Sequence, residues 1–222
     1  IRNCLVGSEM CIRDSLKDLF NPTLISVGTN HYFGHKKEGN FEFLKAFCSD
    51  NNIELHTPDM RKHMGSTISS SLIRSLILDG NSSKVYDYLG RFYGFNATVV
   101  SGSNRGKKMN YPTANFIPTF ENQLLPSTGV YLTKVFLDGK SYFGMMNAGV
   151  RPTFNEKKFV MEVHILSDKF GHLYDKNFYI EFLDKIRDEK KFDSKELLIK
   201  QIEKDKEVCI ELIDTFKEKY EI

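Results

Sequence analysis

Thr113, Asn115 and Glu162 are side chains whose types could together manage phosphate chemistry. Thr113 and Asn115 stand in Tyr-Pro-Thr-Ala-Asn (111–115) and offer a hydroxyl and an amide oxygen. Such donors suit a hard cation like Mg²⁺, which takes oxygen ligands and bridges phosphates. Just upstream, GSNRGKK (102–108) sets Gly102 and Gly106 beside Arg105, Lys107 and Lys108. Glycines let a backbone turn tightly and approach a ligand, and with positive charge alongside the loop suits a polyphosphate. Glu162 lies in MEVHIL (161–166), where alternation puts Met161, Val163 and Ile165 on one face and Glu162 with His164 on the other. A carboxylate carried by a regular strand is well situated to act as a base. On residue type alone each feature also has a plainer reading: a solvated basic loop, a Pro-initiated turn in which Asn115 bonds its own backbone, and an exposed strand residue.

The elements that would position these groups come in two grammars. In the first part, Thr23–Val27 reads as a strand ending at Gly28, Phe41–Asn51 as a helix with Phe43, Leu44 and Phe47 on one side, and Ile53–His56 as a second strand. TISSSLIRSLILDG (67–80) then begins with serines able to cap a helix, continues through Leu72, Ile73, Leu76 and Ile77, and stops at Gly80. This alternation predicts a parallel α/β sheet. A short helix over Ser83–Leu89 ends at Gly90, and from Phe95 onward strands and turns take over, which sets a boundary near residues 85–92. Val130–Leu137 and Lys140–Met146 flank Asp138-Gly139, a strong hairpin signal, and Met161–Leu166 and Phe178–Leu183 add strands. So many short strands predict a sheet that closes into a small barrel. At the end, Asp193 with Glu196 resembles a capping box, and Leu198, Ile202, Cys209, Leu212 and Phe216 form a stripe that packs a long helix on the barrel.

Composition narrows the partners. The 222 residues carry 31 basic and 29 acidic side chains, a net charge of +2, which argues against a protein relying on a general positive field for nucleic acid or membrane surfaces. Cys4, Cys11, Cys48 and Cys209 form no C-x-x-C pair, so neither a disulfide framework nor a zinc site is indicated and a reducing cytoplasm fits best. No apolar run reaches the roughly 20 residues of a spanning helix. Nothing in the sequence specifies an oligomer.

Taken in order, GSNRGKKMNYPTANF (102–116), GVY (129–131), NAGVRPTF (147–154), EVHIL (162–166) and IRDEKKF (186–192) resemble the riboflavin kinase domain of bacterial bifunctional riboflavin kinase/FMN adenylyltransferases, the FAD synthetases. The resemblance covers about residues 88–222. It implies a six-stranded barrel with a C-terminal helix, and transfer of the ATP γ-phosphoryl group to the ribityl 5′-hydroxyl of riboflavin to give FMN. By similarity Thr113 and Asn115 hold Mg²⁺ and phosphate oxygens, with Gly102, Gly106, Lys107, Lys108, Pro112 and Thr113 around the nucleotide. Glu162 becomes the catalytic base, and Arg187 belongs to a flavin-side loop. Asn110 departs from the glycine common in the family, a change that asparagine's tolerance of left-handed backbone makes mild.

The N-terminal part resembles the second half of the FMN adenylyltransferase domain of the same enzymes. VGTNHYFG (27–34) is similar to the family's Val-Gly-x-Asp-Phe-x-Phe-Gly, with Asn30 in place of aspartate. ISSSLIR (68–74) is similar to its Ile-Ser-Ser-Thr-x-Ile-Arg, which implies ATP phosphate contacts from Ser69, Ser70 and Arg74 at a helix start. The family's first strand and His-x-Gly-His motif find no counterpart here. HYFGH (31–35) has its histidines one residue too far apart and occupies the later motif's place. The expectation is therefore an N-terminally truncated chain with kinase activity, adenylylation of FMN to FAD belonging to a full-length parent. Residues 1–15, which include GSEMCIRDS, look like translated adaptor sequence and are expected to be non-native or unstructured. The expected fold is α/β plus β: a partial Rossmann-like nucleotidyltransferase domain over 16–87, of which residues 16–84 are expected to be unstable by themselves, followed by the kinase barrel over 88–222. The competing reading is a non-catalytic flavin or nucleotide-binding barrel; a sensor has no need of a base such as Glu162. An RNA-binding barrel is disfavoured because no extended basic stripe accompanies the loop.

Overall fold

The computed structural model of the protein describes residues 9–28, 31–102, 111–152, 157–167 and 176–220. The chain divides into two compact units, Ile1–Thr67 and Ile68–Ile222.

In the first unit, α1 (Glu9–Ser15) lies in the segment set aside above, and β1 (Leu24–Ser26) is followed by α2 (Phe41–Asp50) and β2 (Glu54–His56). Asn40 starts α2, its side-chain oxygen accepting the Phe43 N–H at 2.9 Å. β1 and β2 pair in parallel, Leu24 with Glu54 and Ser26 with His56, which gives the expected strand–helix–strand unit. Leu44, Phe47, Cys48 and Ile53 form its core. Two short strands, β3 (Lys62–His63) and β4 (Ser66–Thr67), close the unit as an antiparallel pair.

The second unit opens with α3 (Ser70–Leu78) and α4 (Ser82–Leu89). Leu76, Ile77 and Val85 bury together, with Tyr93 and Leu124 packed against them. Compactness therefore groups both helices with the barrel, whereas the sequence boundary at 87/88 marks where the motif grammar changes.

Six strands follow: β5 (Tyr93–Val100), β6 (Ala114–Pro118), β7 (Gly129–Leu137), β8 (Lys140–Pro152), β9 (Lys157–Ile165) and β10 (Asn177–Arg187). They close into a barrel in the order β10-β5-β6-β9-β8-β7, every neighbouring pair antiparallel. Closure removes the open edges that a flat sheet would leave. Asp138 and Gly139 turn the β7–β8 hairpin with φ of 50° and 73°, the pair of positive values that a two-residue primed turn requires.

Alternation along the strands separates two cores. Phe95, Ala97, Phe116, Tyr131, Met146, Val163, Ile180 and Phe182 fill the barrel interior. Val130, Leu132, Met145 and Leu183 instead meet α5 (Lys195–Tyr220) through its Cys209 and Phe216, with Ile202 and Leu212 beside them. The expected helix stripe is thus a packing face. Its cap lies one residue later than the sequence suggests: Ser194, not Asp193, accepts the Leu197 N–H at 3.2 Å.

Candidate active site

Antiparallel register brings the separate motifs into one row on the barrel's outer face. Asn115 on β6 pairs with Glu162 on β9, and Glu162 pairs with Asn147 on β8. Directly paired residues project to the same side of a sheet. Their chain neighbours Ala114, Phe116, Met161, Val163, Met146 and Ala148 are buried in the interior, so the three polar side chains face out. The alternation read from MEVHIL is observed, and it holds Glu162 on a rigid element.

Thr113 stands one residue before β6, and its Oγ1 donates to Glu162 Oε2 at 2.9 Å. Gly102 lies directly against the Asn115 amide, and a Cβ there would push that side chain out of its present position. His164, on the same face as Glu162, donates from Nδ1 to the Pro112 carbonyl at 2.8 Å, and its ring meets that of Tyr111 edge-on at 5.4 Å. Burial lowers the His164 pKa below the usual imidazole value, the Pro112 carbonyl opposes this, and Lys206 adds to the lowering.

Arg187 leaves β10 after two register irregularities, between Phe182 and Asp184 and between Lys185 and Arg187. Such bulges re-aim a side chain. Its Nε donates to both oxygens of Asp205 on α5 at 2.9 Å, and its Nη2 donates to Oδ2 at 2.7 Å. Gln201 donates to the same carboxylate at 2.8 Å, and the Asp205 side chain is only 4% exposed. Arg187 is therefore held by α5. Beyond it, the Glu189 carboxylate approaches the β8 backbone so closely that a Cβ at Gly149 would come within 2.6 Å of its Oε1. IRDEKKF and NAGVRPTF thus meet in space.

Pro112, Thr113, Asn115, Glu162 and Gly102 come together as the motif order implies, while Gly106, Lys107 and Lys108 lie outside the described residues. At the start of α3, Ser69 acts as the helix cap, its Oγ accepting the Leu72 N–H at 3.2 Å, and Ser70 and Arg74 are exposed. Sequence reasoning assigned no role to Asp205 or Asn147. A carboxylate on the inward side of an otherwise apolar helix stripe, four residues before Cys209, is the signal that could have marked Asp205.

The donor set fits Mg²⁺. A hydroxyl, an amide oxygen and a carboxylate are hard oxygen donors. Among the described residues no cluster of three or more His, Cys, Asp or Glu side chains offers a competing metal site.

Comparison with known proteins places the chain in a family. The riboflavin kinase family model matches residues 89–213, from the end of α4 into α5. The chain belongs to the riboflavin kinase family. Thr113 and Glu162 both fall within the matched residues. The FAD synthetase family model matches residues 6–72, beginning inside the segment set aside on sequence grounds. The bifunctional riboflavin kinase/FMN adenylyltransferase of Haemophilus influenzae is 32% identical over 209 residues, covering 91% of this chain and 65% of that protein. The Escherichia coli K12 protein of the same name is 31% identical over 205 residues, 92% of this chain and 64% of the relative. The chain thus spans somewhat less than two thirds of those relatives. A solved structure described as a macrolide-efflux protein from Streptococcus pneumoniae superimposes with a TM-score of 0.82 at 30% identity, covering 92% of this chain and 66% of the other. Among the described residues here, no helix is long and apolar enough to cross a membrane.

Proposed function

We propose that this protein is a riboflavin kinase, transferring the γ-phosphoryl group of ATP to the ribityl 5′-hydroxyl of riboflavin. The observation that carries the reading is the Thr113–Glu162 hydrogen bond beside Asn115, an acceptor carboxylate set among oxygen donors on a rigid strand. The 5′-oxygen forms a bond to the γ-phosphorus, the bond from phosphorus to the bridging oxygen breaks with its electron pair passing to ADP, and the hydroxyl proton goes to Glu162. FMN and ADP are the products.

Phosphoryl transfer proceeds through a loose transition state, so orientation and charge neutralisation dominate. Thr113 and Asn115 would hold Mg²⁺, which would supply positive charge against the negative charge of the phosphates. Thr113, by donating to Glu162, keeps the carboxylate aimed and leaves its own oxygen lone pairs for other contacts. Gly102 lies against Asn115, and Gly106, Lys107, Lys108 and Pro112 complete the proposed ATP contacts. Arg187 is proposed on the flavin side, anchored by Asp205.

FMN adenylylation, the second activity named for the relatives, is proposed for a longer parent protein, with Ser69, Ser70 and Arg74 contacting ATP phosphates at the start of α3. A cytoplasmic setting is supported by Cys48 and Cys209, both free and buried.

The test is an assay of the whole chain with riboflavin, ATP and Mg²⁺, resolving riboflavin, FMN and FAD by chromatography. FMN should form, and Glu162→Gln should slow it by about 10²–10⁴-fold, the usual range for losing general-base help. Flavin binding without FMN formation would instead favour the non-catalytic barrel.

A further inference from the structure

We propose that His164 is a positioning residue of this site: its Nδ1–H holds the Pro112 carbonyl and thereby keeps the Thr113 hydroxyl on Glu162. The inference rests on the kinase reading and adds to it a residue whose contacts are with Pro112 and Tyr111.

The geometry starts from where β6 begins. Its register with β9 runs only from Phe116–Met161 to Ala114–Val163, so Pro112 and Thr113 lie beyond the last paired residues. Proline has no N–H to donate to a ladder. Two side chains on the same face of β9 take over instead. Glu162 accepts from the Thr113 hydroxyl at 2.9 Å, and His164, two residues along, bonds the Pro112 carbonyl at 2.8 Å. A carbonyl only accepts, so Nδ1 carries the hydrogen, and that tautomer is fixed by the contact. Tyr111 packs its ring against the imidazole and braces the residue before. Three consecutive residues, 111–113, are thus gripped from one strand.

The consequence is positional. Thr113 lies outside the regular strand, and its backbone is set by what holds residue 112. A displacement of about 1 Å at a reacting group can cost about 10²-fold in rate. The core does not need an imidazole here, because His164 is on the outer face while Val163 and Ile165 fill the interior.

Three variants of the full chain separate positioning from packing. His164→Asn keeps an N–H donor close to the Nδ1 position, His164→Gln carries it one bond further out, and His164→Leu removes it. Steady-state FMN formation, Mg·ADP affinity by calorimetry and thermal midpoints are measured for each. The expected result is a kcat about 10–100-fold lower for His164→Leu, Mg·ADP binding about tenfold weaker, and a riboflavin KM within about threefold of the unmodified chain. His164→Asn should return kcat and Mg·ADP affinity to within about threefold, and His164→Gln should not. The proposal is overturned if His164→Asn is as impaired as His164→Leu, or if His164→Leu alters only the thermal midpoint. Should His164→Leu fail to fold, the Asn-against-Gln difference decides. Mg·ADP affinity also separates this idea from the kinase reading. If the unmodified chain forms no FMN, the same ranking of affinities still supports the clasp, and equal affinities across the series overturn it.

Discussion

The two compact units are stabilised in different ways. The first has a core of Leu44, Phe47, Cys48 and Ile53 under a parallel pair of three-residue strands. The second closes six strands upon themselves and buries two aromatic-rich layers, one inside the barrel and one beneath α5. Small cores bury too little apolar surface to outweigh chain entropy comfortably, whereas a closed barrel leaves no unpaired edge. The difference teaches where precise chemistry can reside. Groups that must hold position to within a few tenths of an ångström belong on the barrel, and Asn115, Glu162 and Asn147 are in register on three of its strands.

This contrast can be broken at the joint between barrel and helix. Asp205→Ala removes a buried carboxylate and strands the guanidinium of Arg187 and the amide of Gln201. Breaking such a pair costs about 3–5 kcal/mol. Denaturant unfolding should show that loss in the barrel's transition, and an unchanged midpoint there would mean that α5 docks through its apolar stripe alone.

A slightly smaller effect tests whether the units are independent. Leu44→Ala should cost the first unit about 2–5 kcal/mol, the range for a buried leucine. Hydrogen exchange should then accelerate in α2 while amides of the β7–β8 hairpin keep their protection. Acceleration in both units together would show that they unfold as one.

The smallest effect is a pH dependence confined to the helix–barrel layer. Burial pushes the Cys209 thiol up from its ordinary 9.0 to about 12, with Asp205 adding to the rise. A thiol whose folded pKa is raised binds its proton more tightly in the native state, so its contribution is fully present below pH 9 and is lost as pH rises from 9 towards 12. Against Cys209→Val, the unmodified chain should lose about 2 kcal/mol more by about pH 10.5. Parallel curves for the two proteins would refute the shift.

Much of the fold was legible because its signals are local. Asp138-Gly139 announces its hairpin through backbone preference, and the 161–166 alternation announces which side of the strand faces the core. The α5 cap was misjudged by one residue because Asp193 and Ser194 are both good caps, and only the bond to Leu197 distinguishes them. His164 was seen as a face-mate of Glu162, but its partner lies 52 residues away and no spacing rule reaches that far.

By itself the sequence determined the inventory: oxygen donors at 113 and 115, a carboxylate at 162, a glycine at 102, and the periods that make strands and a packed helix around them. These follow from short-range stereochemistry and from which side chains leave water. Tertiary structure alone decided that β6 lies beside β9 rather than β7, which sets Thr113 2.9 Å from Glu162 across 49 residues of chain. It also turned Arg187 onto Asp205. Strand order and register emerge from closing the barrel around a shared interior, a requirement met by the whole set of strands at once and written in no single one of them.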